Sequence, residues 1–157
     1  MADKSKLGYE FPAHTFAVEK GKIAEFAMAV AQKDSKDKIK PIYADAAAAK
    51  KAGYPGIVIP PTFPTCLMVS TGGGLMEIVQ TLGINLGRLL HAEEDYEYFG
   101  SICEGDTISG RMKVVDMYDK EKKGRPGKFM EFTTIETEVR NQRGELVLKA
   151  RSTMVER

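Results

Sequence analysis

From Gly87 onward the apolar residues recur at every second position, and this change of period constrains the fold more than any other feature of the chain. Thr107–Tyr118 puts Ile108, Met112 and Val114 on one side and Arg111 and Lys113 on the other. Leu146, Leu148, Ala150 and Met154 alternate with Lys149, Arg151 and Thr153 in the same way. Between these two segments lies Phe129–Arg140, rich in Thr, Phe, Ile and Val. Asp119–Lys128 and Asn141-Gln-Arg-Gly144 carry the turn residues that join three strands into an antiparallel meander. Leu86–Phe99 supplies a fourth strand ahead of it.

The first half has a different period. Thr15–Val18 suits a short strand. Ile23, Phe26, Ala27 and Val30 fall at helical spacing, predicting a helix over Lys22–Gln32 with one apolar face. Lys33–Lys40 is densely charged and reads as an exposed loop. Asp45 is a suitable N-cap for Ala46–Ala52, with Gly53 as its stop and Pro55 preventing continuation. Leu75, Ile78, Val79 and Leu82 again have helical spacing, and Gly83 ends that element. Gly72-Gly-Gly74 before it either brings backbone close to a ligand or partner or acts as a flexible connector. Helices first and strands afterwards predict an α+β domain with a curved sheet packed on helix.

Composition removes several function classes. The 157 residues suit one domain with one core. With 23 basic and 22 acidic residues, nothing favours nucleic acid or an anionic membrane as partner. No run approaches the roughly 18 apolar residues of a membrane-spanning helix. MADKSKLGYEF lacks the apolar stretch of a secretory signal, so a cytoplasmic location is expected. Cys66 and Cys103 lack metal-site or disulfide-framework spacing, and the only histidines are His14 and His91. No resident metal or redox cofactor is therefore expected, and nucleotide-binding glycine motifs are absent.

Gly21–Phe63 runs helix, polar loop, short helix and Gly/Pro turn. Leu89-Leu-His-Ala-Glu-Glu-Asp-Tyr-Glu-Tyr-Phe99 is followed by Gly105-Asp-Thr-Ile108. Together with Pro60-Pro-Thr-Phe63, this order resembles the MaoC-like hydratase/dehydratase family, from roughly Tyr9 to Val155. The match is to its N-terminal, non-catalytic type of domain, as in the small subunit of heteromeric (R)-specific enoyl-thioester hydratases. The resemblance implies a single hot-dog domain over residues 1–157, a curved antiparallel sheet wrapped around a central helix, with 1–8 frayed. It implies hydro-lyase chemistry in fatty acyl metabolism, enoyl-CoA hydration or its reverse, on substrates carried by coenzyme A or acyl carrier protein. Active members carry Asp-x-Asn-Pro-x-His straight after the first helix. In Asp34-Ser-Lys-Asp-Lys-Ile-Lys-Pro41-Ile-Tyr43 the proline stands, Tyr43 takes the histidine's place, and Asp34 lies farther away. Asp34 and Tyr43 are thus the positions of a degenerate dyad.

A phenol with an ordinary pKa near ~10 is a poor base at neutral pH. The expected role is therefore a non-catalytic subunit that shapes an acyl tunnel, beside a partner chain bearing the intact loop. Pro61, Thr62, Phe63, Gly72, Gly73 and Leu75 are the candidate substrate-lining residues. His91, Tyr96 and Tyr98 are candidate structural or interface residues, His91 through a buried hydrogen bond or a dimer contact. His14 reads as a surface or rim residue, and Cys66 as a structural thiol. The lysines of Lys33–Lys40 and Asp119–Lys128 could meet coenzyme A phosphates or an acyl carrier's acidic surface, though interspersed acids suit solvated loops. Two other readings stay open: a homo-oligomeric acyl-thioester-binding protein without chemistry, and a hot-dog acyl-CoA thioesterase. A homodimer or heterodimer is expected, because an unpaired sheet edge invites strand pairing.

Overall fold

A computed structural model of the chain describes residues 2–31, 39–66 and 74–157. Five strands are present: β1 (His14–Ala17), β2 (Leu89–Tyr98), β3 (Thr107–Glu121), β4 (Phe129–Arg140) and β5 (Leu146–Glu156). They form one antiparallel sheet in the order β1-β3-β4-β5-β2. The meander β3-β4-β5 follows the period-two pattern of the sequence, and β2 returns to pair with β5 at the sheet's edge. Register shifts at His91/Glu93, Val114/Asp116 and Val139/Arg140 insert bulges, which bend and twist an otherwise flat ladder.

The helices are α1 (Lys20–Val30), α2 (Ala46–Lys51) and α3 (Gly74–Leu82). In α3, Ile78, Val79 and Leu82 are buried against Phe11, Met112, Val114, Ile135 and Met154 on the concave face of the sheet. Each such side chain contributes roughly 1.5–3 kcal/mol of burial free energy. Gly83 ends the helix at φ 65°, and Ile84 N donates back to Val79 O at 3.0 Å. A second core lies beyond it, where α1 and Ile57–Ile59 meet Phe16, Phe63, Ile102, Ile108 and Leu148. This is the hot-dog arrangement that the sequence leads one to expect.

Some expectations need correction. Residues 2–8 are not frayed: Asp3 N donates to Leu82 O at 2.8 Å, Gly8 N to Val114 O at 2.9 Å, and Lys4 pairs with Asp119. Phe11, 2% exposed, anchors that segment in the α3 core. The helix α1 starts at Lys20, and only Ile23 and Ala27 of its apolar face are buried, with Val30 left exposed. In β5, an interior strand, Thr153 is buried rather than outward in solvent, its hydroxyl 3.0 Å from that of Thr134. The charged loop Lys33–Lys40, with Asp34, and Gly72 and Gly73 fall largely or wholly outside the described residues.

Candidate functional site

Tyr43 closes a single 3-10 turn, Pro41–Tyr43, whose proline presets the backbone at its first position. Asp45 N donates to Pro41 O at 2.8 Å, and its carboxylate accepts from Ala47 N and Ala48 N at 2.7 and 3.2 Å. That cap starts α2, and Gly53, at φ 93°, lets the chain turn back. Val58 N then donates to Ile42 O at 3.3 Å, Ile59 N to Ile102 O at 3.1 Å, and Glu104 N to Ile57 O at 2.8 Å. These bonds fasten the Tyr43 turn to the segment after β2. Gly105, at φ 84°, makes the turn into β3, and Asp106 accepts from Cys103 N at 2.8 Å.

The result is a pocket of about 420 Å³ between the Tyr43 turn, Pro61 and the end of β2, walled by Tyr43, Tyr54, Tyr98 and Phe99. Tyr98 Oη donates to Pro61 O at 2.9 Å, and Tyr96 Oη lies 2.8 Å from Thr65 Oγ1. Burial, reinforced by Tyr54, raises the pKa of Tyr43. Burial also raises that of Tyr98, and pushes that of Tyr96 up to about 12 against the Thr65 hydrogen bond. All three phenols are therefore neutral near pH 7. They can donate a hydrogen bond to a carbonyl oxygen, but they cannot take a proton from water.

A second cavity, about 330 Å³, opens at the other end of β2. It is walled by Leu75, Leu86, Leu89 and Met154, with Thr65, His91, Glu94 and Ser152. Glu94 and Ser152 are cross-strand partners. Both Glu94 carboxylate oxygens and Ser152 Oγ are enclosed and have no hydrogen-bond partner among the described residues. His91 Nε2 stands 3.6 Å from Glu94 Oε2. The cavity is an apolar slot with a carboxylate and a hydroxyl set into one wall.

These positions sort the sequence candidates. Pro61 lines the tyrosine pocket and Leu75 the apolar slot, whereas Thr62 is exposed and borders neither. Phe63 is a correction: it is 1% exposed, edge-on to Phe16 and Phe26 with ring centres 6.4 and 5.4 Å away, and belongs to the core. Of the two roles expected of His91, the buried hydrogen bond is corrected and the dimer contact stays an expectation. Its side chain, beside a bulge on the edge strand, is 59% exposed, so it makes no buried hydrogen bond. His14 is half-buried at the start of β1, its Nε2 3.4 Å from Glu77 Oε2 on α3. Burial raises the Cys66 thiol's pKa, which disfavours the reactive thiolate. Sequence reasoning missed Tyr54, Glu94 and Ser152. Only the pairing of β2 with β5 brings Glu94 and Ser152 together, and no local motif marks it. Among the described residues, no group of three His, Cys, Asp or Glu side chains could hold a metal ion, and no helix is long and apolar enough to cross a membrane.

Residues 5–150 match the family described as FAS1-like, dehydratase domain region. The chain belongs to that family. A UPF0336 protein of Saccharopolyspora erythraea is 34% identical over 156 residues, covering 99% of this chain and 91% of the relative. The fold of this dehydratase-family chain is similar to a chain of the truncated HadBC (3R-hydroxyacyl-ACP dehydratase) complex from Mycobacterium tuberculosis. That match has a TM-score of 0.75 at 21% identity and covers 96% of both chains. A MaoC-like dehydratase superposes with a TM-score of 0.77 at 22% identity, and there the chain spans only 42% of the longer protein. At these identities the two structures show a shared hot-dog fold.

Proposed function

We propose that the chain is the non-catalytic, acyl-tunnel-forming subunit of a heteromeric (R)-specific enoyl-thioester hydratase, or 3-hydroxyacyl-thioester dehydratase, acting in the cytoplasm. One observation carries the reading. Where the resembled family places its catalytic histidine, this chain has Tyr43, amid phenols that are neutral near pH 7. Both histidines lie elsewhere, on β1 and β2.

Adding water across an enoyl thioester needs a base to take the water's proton and an acid to protonate the α-carbon. It also needs donors for the developing enolate oxygen. A partner chain with an intact Asp-x-Asn-Pro-x-His loop supplies the first two. This chain supplies the apolar slot beside Leu75, Leu86, Leu89 and Met154, which suits an acyl chain. The HadBC structure, itself a complex of a 3R-hydroxyacyl-ACP dehydratase, supports a division of labour between related chains. The substrate brings its own carrier, coenzyme A or acyl carrier protein, and no further cofactor takes part.

The test follows enoyl absorbance with the purified chain, with the dyad-bearing chain encoded beside it, and with both together. The chain alone should show no hydration, and the mixture should act on longer acyl groups than the partner does alone. A turnover by the isolated chain of about 1 s⁻¹ or more, the low end of ordinary enzymes, would overturn the assignment. In the complex, Asp34→Asn should leave activity within about tenfold, since losing a general acid or base costs about 10²–10⁴-fold.

A further inference from the structure

Glu94 and Ser152 face each other across the β2–β5 pairing, and the residue beyond Ser152 on β4 is Ile135, buried in the α3 core. Along β5 the neighbours on the same face are Ala150 and Met154, both buried. Ser152, itself 4% exposed, therefore has apolar side chains along its own strand and across to β4. Its Oγ and both Glu94 carboxylate oxygens are enclosed, with no hydrogen-bond partner among the described residues. The nearby donors are too far or otherwise engaged. His91 Nε2 stands 3.6 Å from Glu94 Oε2, beyond hydrogen-bond length. Tyr96, close enough for Glu94 to help raise its pKa, is bonded through Oη to Thr65 Oγ1 at 2.8 Å.

The rest of the slot suits hydrocarbon. Leu75, Leu86, Leu89 and Met154 wall a volume of about 330 Å³, at the small end of ligand pockets. Leu75 and Leu86 are 44% and 46% exposed, so apolar surface lies open beside it. An occupant that covers this surface is aliphatic, and it must bring Glu94 and Ser152 a group that matches both. Donor and acceptor counts decide which group that is. A carboxylate only accepts, whereas a serine hydroxyl donates as well as accepts. A ligand hydroxyl gives its hydrogen to Glu94 and takes the Ser152 hydrogen on a lone pair. An ammonium has no acceptor for the Ser152 hydrogen, a second carboxylate has no hydrogen for Glu94, and a methyl group offers neither.

We propose that Glu94 and Ser152 form a hydroxyl-reading site in the slot wall, and that the ligand is an aliphatic chain carrying a hydroxyl at the end that enters the slot. That the chain is an acyl group on a carrier rests on the function proposed above. The demand for a hydroxyl rests on Glu94 and Ser152 alone. This hydroxyl is remote from the thioester, and so is not the one that hydration at the partner's dyad creates.

Isothermal titration of the purified chain compares ω-hydroxyoctanoate, octanoate, 3-hydroxyoctanoate and ω-aminooctanoate, with amide chemical shifts locating the site. The ω-hydroxy acid should bind at least about tenfold tighter than octanoate, because the analogue without the hydroxyl leaves buried polar groups unpaired. The shifts should centre on Leu89, Glu94 and Ser152. The 3-hydroxy acid should gain nothing, since its hydroxyl stays with the carboxylate outside the slot. Glu94→Met and Ser152→Ala should each bring the ω-hydroxy acid to within about threefold of octanoate, as expected when one of two hydrogen bonds and the pairing it completes are lost. Ser152→Ala deletes a single atom, and it decides the matter should Glu94→Met fail to fold.

Equal binding of ω-hydroxyoctanoate and octanoate would mean that water completes the pair, and would overturn the proposal. So would discrimination that survives Ser152→Ala, shifts that centre elsewhere, or no binding of any probe at millimolar concentration. Tightest binding of ω-aminooctanoate would show that the site reads charge, and refutes the hydroxyl rule. No dyad-bearing chain and no turnover enter these titrations. Their failure counts against the hydroxyl site, whereas an inactive natural complex counts against the dehydratase reading.

Discussion

The two ends of β2 line cavities of opposite character. At the Tyr98 end three phenols have a protein partner or a protein wall: Tyr98 is bonded to Pro61 O, Tyr96 to Thr65, and Tyr43 packs on the core. At the His91 end the apolar slot encloses a carboxylate and a hydroxyl that have no hydrogen-bond partner among the described residues. Buried polar groups without partners are costly, and proteins keep them where something else completes the bonding. The contrast separates a settled structural corner from an unfinished wall. The first offers only neutral phenols, while the second retains polar groups that a ligand or a partner could satisfy.

The sharpest way to break this contrast is at Phe63, which the sequence offered as a lining residue and the structure puts in the core against which Tyr43 packs. If it is core, Phe63→Ala should cost about 3–5 kcal/mol in denaturant unfolding, as for other buried aromatics. If it were a pocket wall, the loss would be small and the acyl-chain preference of the complex would shift instead.

A pH titration sharpens the settled end. Tyr96 ionises at about 12 in the folded chain and near the usual ~10 when unfolded, and Tyr98 shifts in the same direction. Between those values the unfolded chain has lost protons that the folded one retains, so the tyrosines' contribution to stability should be flat below pH ~10 and fall as pH rises towards 12. Melting curves across that range check the slope, and Tyr98→Phe should flatten it. Phenolate absorbance from buried tyrosines below pH ~10 would contradict the neutral-phenol account.

At the unfinished end, Ser152→Ala removes a hydroxyl that is enclosed without a partner in the free chain. The variant should be as stable as the native chain or more stable by about 1 kcal/mol, because an unsatisfied buried group is removed. A loss above about 1 kcal/mol would mean that the hydroxyl is already bonded within the fold.

Much of this was legible in the sequence, for a physical reason. Period-two alternation reports a sheet with one buried face, so β3, β4 and β5 and the burial of Ile108, Met112 and Val114 follow directly. Asp45, Gly53 and Gly83 mark helix ends through local hydrogen bonding and positive φ, and those elements appear where expected. What local pattern does not encode is which distant strands meet. Glu94 comes to lie against Ser152, 58 positions later, only through the β2–β5 pairing, so the slot was invisible. His91 misled for a related reason. A histidine between Leu90 and Ala92 looks buried by its neighbours, but that stretch of the edge strand, where the register shifts, is exposed throughout. Phe63 beside two prolines and a threonine resembled a loop lining, although its ring closes the aromatic core with Phe16 and Phe26.

The smallest expected effect is at Tyr43, and it bears most on function. Its ring packs against the core through Pro41–Tyr43, while its hydroxyl has no hydrogen-bond partner among the described residues. Tyr43→Phe keeps the ring and deletes only the oxygen. Stability should therefore stay within about 0.5 kcal/mol, the range of substitutions that touch no buried network. In the complex with a dyad-bearing partner, enoyl hydration should stay within about tenfold of native, because a phenol neutral at pH 7 cannot serve as the base that takes water's proton. Tyr43→Ala, by contrast, empties part of the corner and should lower stability by a few kcal/mol, roughly as other large-to-small changes do. If Tyr43→Phe instead cost about 10²-fold or more with unfolding unchanged, the hydroxyl would be touching substrate. The degenerate corner would then still be a working one.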